Sequence, residues 1–185
     1  LERFEEAEVL LRRVLEARER RGERMARETQ VERLLLARAL LYLDRDSEAR
    51  ALVEQLIALG GNVPDREFLT AHNIRAQLLQ RAGHIEEARA EFAEVLRLTL
   101  ERLGEDHPNW TMYLSSAAKA DLAANDLAAA RTKLERALPI LLEKQGKQHP
   151  RTLDVVARLS DIYEKLGLPD KAAEVHASVE ETDGE

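Results

Sequence analysis

The chain has 185 residues, no cysteine, and 28 Lys and Arg against 35 Asp and Glu, for a formal net charge of −7. Disulfides, thiolate zinc sites and cysteine nucleophiles are thereby excluded, and the acidic balance argues against nucleic acid as a partner. The most apolar stretch, residues 34–43, is half of the ~20 residues a membrane span requires and contains Arg38, so no membrane partner is expected.

Aromatics make up 4% and charged residues 34% of the chain, with 8 Gly and 5 Pro, a composition that suits exposed helices and predicts an all-α fold. Apolar residues at spacings of three and four mark the helices in turn: Val9, Leu10, Val14 and Leu15; Leu34, Leu35, Leu40 and Leu41; Leu52, Val53, Leu56 and Leu59. Breaks rich in Gly, Asn, Asp and Pro follow at 44–46, 60–64, 82–83, 104–108, 125–126, 146–150 and 167–169. The chain opens at Leu1 with no Met and no leader, already in a helical pattern, so a fragment of a longer protein is expected.

The spacing is periodic. Ala7, Ala49, Ala88, Ala130 and Ala172 anchor one local pattern, with steps of 42, 39, 42 and 42 residues. A second marker keeps the same period, since Gly104-Glu105-Asp106-His107-Pro108 returns 42 residues later as Gly146-Lys147-Gln148-His149-Pro150. Twelve residues before the last four alanines stand Ala37, Ala76, Ala118 and Ser160. Small residues at both places let two helices of a hairpin approach closely.

These residues carry a resemblance. The helix pairs, the turn residues Gly83, Asn125 and Gly167 five before the alanine, and the apolar residues Val53, Phe92 and Leu134 four after it resemble tetratricopeptide repeats. The 42-residue period and the Gly-x-x-His-Pro sequence before the first helix are similar to the kinesin-light-chain type. The resemblance implies a right-handed α-solenoid, a superhelix of antiparallel helix pairs. Its expected division is one solenoid over 1–185: a half repeat 1–26, repeats at about 27–61, 62–104, 105–146 and 147–180, and a tail 181–185. Arg75, Asp121 and His176 depart from the pattern, standing where Leu, Tyr or Leu, and a large apolar residue are usual, and of the tandem Asn pair only Asn73 is present. The half repeat would leave Val9, Leu10 and Val14 uncovered, which predicts self-association or fraying at that end.

Chemistry finds little support. None of His72, His84, His107, His149 and His176 lies three or four residues from another, so no metal pair is predicted. No phosphate loop or nucleophile elbow occurs. His107 and His149 recur with the repeat and are expected to belong to its turn, each beside a Pro that starts the next helix. No catalytic residue, cofactor or metal is assigned, and the chain is expected not to be an enzyme.

What remains is surface. In repeats of this type the first helix of each pair lines the concave side, which places there Leu35, Arg38 and Tyr42; Asn73, Gln77 and Arg81; Ser115, Ser116 and Lys119; and Arg158, Asp161 and Lys165, with Trp110 as a further candidate anchor near the edge, although its packing against the preceding helix pair is expected ahead of that role. The first three groups contain cations and no carboxylate, which predicts an acidic segment with one or two apolar anchors as the ligand. Asp154 stands at one lysine position of the carboxylate clamp of chaperone-binding repeats, so a chaperone tail is not expected. For Arg75 and Asp121, solvent exposure is expected ahead of a mutual pair. The function expected is a non-enzymatic, cytoplasmic protein-interaction module within a larger signalling or assembly protein. The alternative is a sensor domain for a small ligand or signalling peptide, which needs a closed pocket. The excess of Arg over Lys suits a GC-rich bacterial source.

Overall fold

The computed structural model describes residues 2–60 and 65–180. The expected start at Leu1, the break at 61–64 with the repeat boundary inside it, and the tail 181–185 lie outside the described residues. Every regular element described is a helix, and the chain divides into two compact units, Leu1–Arg102 and Leu103–Glu185. The first holds α1 (Glu2–Arg20), α2 (Arg27–Tyr42), α3 (Asp46–Ala58), α4 (Asp65–Arg81) and α5 (Ile85–Arg102). The second holds α6 (Trp110–Ala123), α7 (Leu127–Gln145), α8 (Pro150–Lys165) and α9 (Pro169–Ala177).

The helices pack as pairs, α2 with α3, α4 with α5, α6 with α7 and α8 with α9. One turn closes all four pairs. Asp44, Gly83, Asn125 and Gly167 adopt left-handed backbone, with φ of 57°, 84°, 59° and 71°. The next residue then donates its N–H back five positions: Arg45 to Leu40, His84 to Leu79, Asp126 to Asp121 and Leu168 to Tyr163, at 2.9, 3.0, 2.8 and 2.9 Å. This satisfies a carbonyl that the helix end would otherwise leave open. After the third turn, Asp126 also caps α7 by accepting the N–H of Ala129 at 3.0 Å.

The anchor residues lie where the helices meet. Ala49, Ala88 and Ala130 have no exposed surface, nor do Ala37, Ala76 and Ala118, their counterparts on the first helices. Large side chains fill the space beside these contacts: Leu36, Leu40, Val53, Leu56, Ile74 and Leu78 in the first unit, and Tyr113, Leu134, Leu141, Leu159 and Ile162 in the second. Full burial of each such side chain contributes about 1.5 to 3 kcal/mol. In the second unit the phenol of Tyr163 donates to Glu135 at 2.6 Å, and burial together with that acceptor pushes its pKa up to about 12.

Helix α1 differs from the rest. Leu11 and Leu15 pack against the core of the first unit, and Phe4 stacks on Tyr42 with ring centroids 4.5 Å apart. Yet none of its 19 residues is fully buried. It ends at a turn through Gly22, whose φ is 75°.

Candidate functional site

On α2, residues 33–41 are buried except at Leu35 and Arg38, and Tyr42 follows as the last exposed residue of the helix. These three sit at i, i+3 and i+7, one face of the helix. Leu35 is 39% and Tyr42 54% exposed, and Arg38 is exposed without an ion pair among the described residues. Over residues 33–42 the helix is therefore wrapped by its neighbours except along a stripe of one aliphatic, one cationic and one aromatic side chain.

Helix α4 packs beside α2 and supplies the next group. Arg81 is exposed but not free: it pairs with Asp44, lies 3.3 Å from Asp46, and donates to the Leu41 carbonyl at 2.6 Å. The carboxylates of the preceding turn thus cancel a charge that was expected to stand alone, because contacts from another helix pair do not register in the spacing along one helix. Gln77 is half-buried, and Asn73, only 2% exposed, is withdrawn from the surface.

In the second unit Ser115 and Ser116 are half-buried, and Ser115 donates back to the Thr111 carbonyl at 2.9 Å. Lys119 is exposed, with its ammonium 4.0 Å from Asp154. Arg158 grips the same carboxylate at 2.9 Å, and Lys165 pairs with Asp161 at 2.7 Å, both one turn apart on α8. The two arginine-facing and lysine-facing contacts hold the Asp154 carboxyl below its ordinary range despite the opposing effect of burial. The face is mixed in sign rather than basic.

Residues 67–143 match the family model of the tetratricopeptide repeat. These residues are tetratricopeptide repeats. Among solved structures, a Podosopora anserina protein described as a kinesin light chain with nearly identical TPR-like repeats aligns at a TM-score of 0.69 and 23% identity, covering 95% of this chain and 85% of that one. A variant of that protein gives 0.71 at 22% identity, with 95% and 84% covered. BtubC (BKLC) from P. vanneervenii gives 0.76 at 16% identity, with 95% and 72% covered. At such identities the likeness concerns the fold, an α-solenoid of helix pairs of the kinesin-light-chain kind. A search of the curated proteins finds no match.

Two departures from the tetratricopeptide pattern, Arg75 and Asp121, have a physical role. Arg75 does not reach into solvent alone; it makes a two-pronged contact with Glu91 of α5, at 3.0 and 2.6 Å, and His72 Nδ1 lies 2.5 Å from the same carboxylate. Burial would raise the pKa of Glu91, but the hydrogen bonds from His72 and Arg75 outweigh it and hold the group below its ordinary value. His72 is thus brought together with a carboxylate, yet that carboxylate is held by Arg75 as part of a knot tying α4 to α5. Asp121 is likewise buried rather than solvated, and it receives Lys133 of α7 at 2.5 Å. Both expectations of solvent exposure fail for one reason: a charge on a first helix meets its opposite on the second helix of the same repeat, 16 residues on for Arg75 and 12 for Asp121.

His107 and His149 act alike within the repeat turn. Each Nδ1 accepts a backbone N–H two residues on, from Asn109 at 3.3 Å and Arg151 at 3.1 Å. Pro150 opens α8, whereas α6 begins only at Trp110, two residues beyond Pro108. Trp110 is 2% exposed, with the Arg136 guanidinium 5.0 Å from its ring centroid. It is a packing residue and offers no surface anchor, a distinction that its position beside a turn did not reveal. Exposed His176 takes the last apolar place on the short α9. Among the described residues no group of three or more His, Asp or Glu could hold a metal, and no helix is long and apolar enough to cross a membrane.

Proposed function

We propose that the chain is a non-enzymatic module that takes a peptide segment or partner protein along the face of its first helices, within a larger cytoplasmic signalling or assembly protein. Tetratricopeptide repeats in general serve as protein-interaction modules, and this fold is typically a scaffold rather than an enzyme. The observation that carries the proposal is the stripe Leu35, Arg38 and Tyr42, the surface that α2 leaves open over residues 33–42 while every residue between is buried. Leu35 and Tyr42 supply apolar anchoring, and Arg38 supplies a charge for one carboxylate of the ligand. In the second unit the corresponding face offers Ser115, Ser116 and the opposed charges of Lys119, Arg158, Asp161 and Lys165. The ligand this favours is an apolar segment with a single acidic residue near its anchors, less acidic than the sequence alone suggests.

The proposal is tested on an array of peptides carrying paired apolar residues with and without a neighbouring Asp or Glu. Leu35→Asp and Arg38→Glu should each weaken binding about tenfold while leaving the melting temperature unchanged, since an exposed position away from packing has little effect on stability. Binding that survives the double variant intact would move the site off this face.

A further inference from the structure

Arg33, near the start of α2, is 7% exposed, yet its guanidinium meets no carboxylate among the described residues. A buried charge ordinarily carries a partner, as Asp121 does with Lys133 at 2.5 Å. The next repeat shows what is missing. Thirty-nine residues on, the same step that separates Ala49 from Ala88, His72 takes the place of Arg33 and meets Glu91 of α5. The residue of α3 that corresponds to Glu91 is Leu52, so the first repeat keeps a nitrogen donor at this place and lacks its acceptor.

The guanidinium is turned toward the α1–α2 turn. Its Nη1 donates to the Arg24 carbonyl at 3.1 Å and to Gln30 Oε1 at 3.0 Å, whereas Nε and Nη2 have no acceptor among the described residues and neither is sealed from solvent. Burial lowers the pKa of Arg33, and the charge of Arg24 lowers it further, by more than Glu19 restores. The other nearby carboxylates are engaged elsewhere, since Arg18 holds both Glu23 and Glu32, at 3.0 and 2.6 Å. Helix α2 begins at the same turn. Its N-cap, Ala26, has no side chain to cap with, and the N–H groups of Arg27, Glu28 and Thr29 find no acceptor among the described residues.

We propose that this turn is an anion site for a phosphate monoester, its oxygens taken by the open nitrogens of Arg33, the guanidinium of Arg24 and the unbonded N–H groups that open α2. Two like charges held side by side call for a dianion rather than a single carboxylate, and phosphate oxygens suit both guanidinium donors and a helix N-terminus. The exposed carboxylates of Glu19 and Glu28 oppose such a ligand and keep its affinity modest. The site stands apart from the peptide face, because Arg33 lies about 160° around α2 from Leu35. Neither reading depends on the other.

The test is a titration of the 185-residue chain with inorganic phosphate, followed by amide and arginine Nε chemical shifts at an ionic strength held constant with chloride. Shifts of residues 24–33 should saturate, and acetate should produce no saturating shift. Arg24→Gln and Arg33→Gln should each raise the dissociation constant at least about fivefold, while Arg151→Gln, at an exposed arginine beginning α8, should leave it unchanged. Arg33 also holds the turn, so Arg24→Gln, which alters an exposed side chain and keeps its carbonyl, reads binding apart from folding. A phosphoserine peptide and its unphosphorylated form distinguish the sources of the anion. Tighter binding of the phosphopeptide than of inorganic phosphate assigns the site to a modified protein segment, and equal binding assigns it to the free anion. Shifts that rise linearly with phosphate, equal binding of acetate or of the unphosphorylated peptide, or an Arg24→Gln variant as tight as the wild type would overturn the proposal.

Discussion

Helices α1 and α5 occupy the same register of the repeat and are 19 and 18 residues long, yet α5 buries Ala88, Phe92, Val95, Leu98 and Thr99 while α1 buries nothing completely. Both are amphipathic, and in both a pair of glutamates, Glu5-Glu6 and Glu86-Glu87, stands just before the anchor alanine. What separates them is depth of packing: α5 lies along α4, tied by close-packed alanines and by the knot of His72, Arg75 and Glu91, whereas α1 lies on α2 through Phe4, Leu11 and Leu15 and reaches α3 only by the half-exposed pair of Arg12 with Glu48. A second helix in this architecture is held chiefly by the first helix of its own pair. Amphipathicity states which face seeks burial and leaves open whether burial is found.

The comparison breaks most visibly if the alanine contact is overfilled. Ala88→Leu should destabilise the protein by ~1 to 3 kcal/mol, because the added side chain has no space between α4 and α5. Ala90→Leu, on the exposed side of the same helix, should change it far less. Equal melting temperatures for the two variants would show that Ala88 is not the point of closest approach.

The ion-pair knot sharpens the comparison further, since it joins α5 to α4 at a largely buried carboxylate, whereas Arg12 of α1 meets Glu48 of α3 at a half-exposed one. Glu91→Gln should cost ~1.5 to 3 kcal/mol at neutral pH, the range for hydrogen bonds to a charged group. The Glu91 carboxyl is held below its ordinary value of 4.5. Its contribution is therefore complete above that value and is lost as pH falls through the depressed folded value. Urea unfolding of wild type and variant should converge in acid, and a difference that persists unchanged would show that the charge of Glu91 is not what joins the helices.

A smaller effect is expected at the hairpin turn. A side chain at Gly83 would meet no atom within 4 Å, so the effect of Gly83→Ala is conformational alone, about 1 kcal/mol for left-handed backbone. Gly83→Asn should cost less, because Asn125 already occupies the corresponding place at φ 59°. Thermal melts that rank the two variants the other way would contradict the shared turn.

The helix pairs were legible in the sequence because their determinants are local. Ala37 and Ala49, or Ala76 and Ala88, announce a close contact by size and separation, and Gly83 and Gly167 announce a left-handed turn. Asp44 fills that turn position too, but an aspartate beside Arg45 and Asp46 does not distinguish a left-handed residue from a helix cap. The ligand face was less legible for a different reason. Whether Arg81 is a free cation depends on Asp44 and Asp46, 37 and 35 residues away, and whether Trp110 is buried depends on packing that no periodicity encodes. The stripe on α2 could be placed only on the right helix, since its isolation follows from the burial of every residue between its members.

Hydrogen exchange read residue by residue, in protein dilute enough to be monomeric, tests most directly whether a second helix depends on the first helix of its pair. Amides of residues 5–16 in α1 should exchange at least about tenfold faster than those of residues 88–99 in α5, because opening α1 exposes no fully buried side chain whereas opening α5 exposes five. Equal protection of the two segments would contradict the dependence and show that α1 is held as firmly by α2 as α5 is by α4.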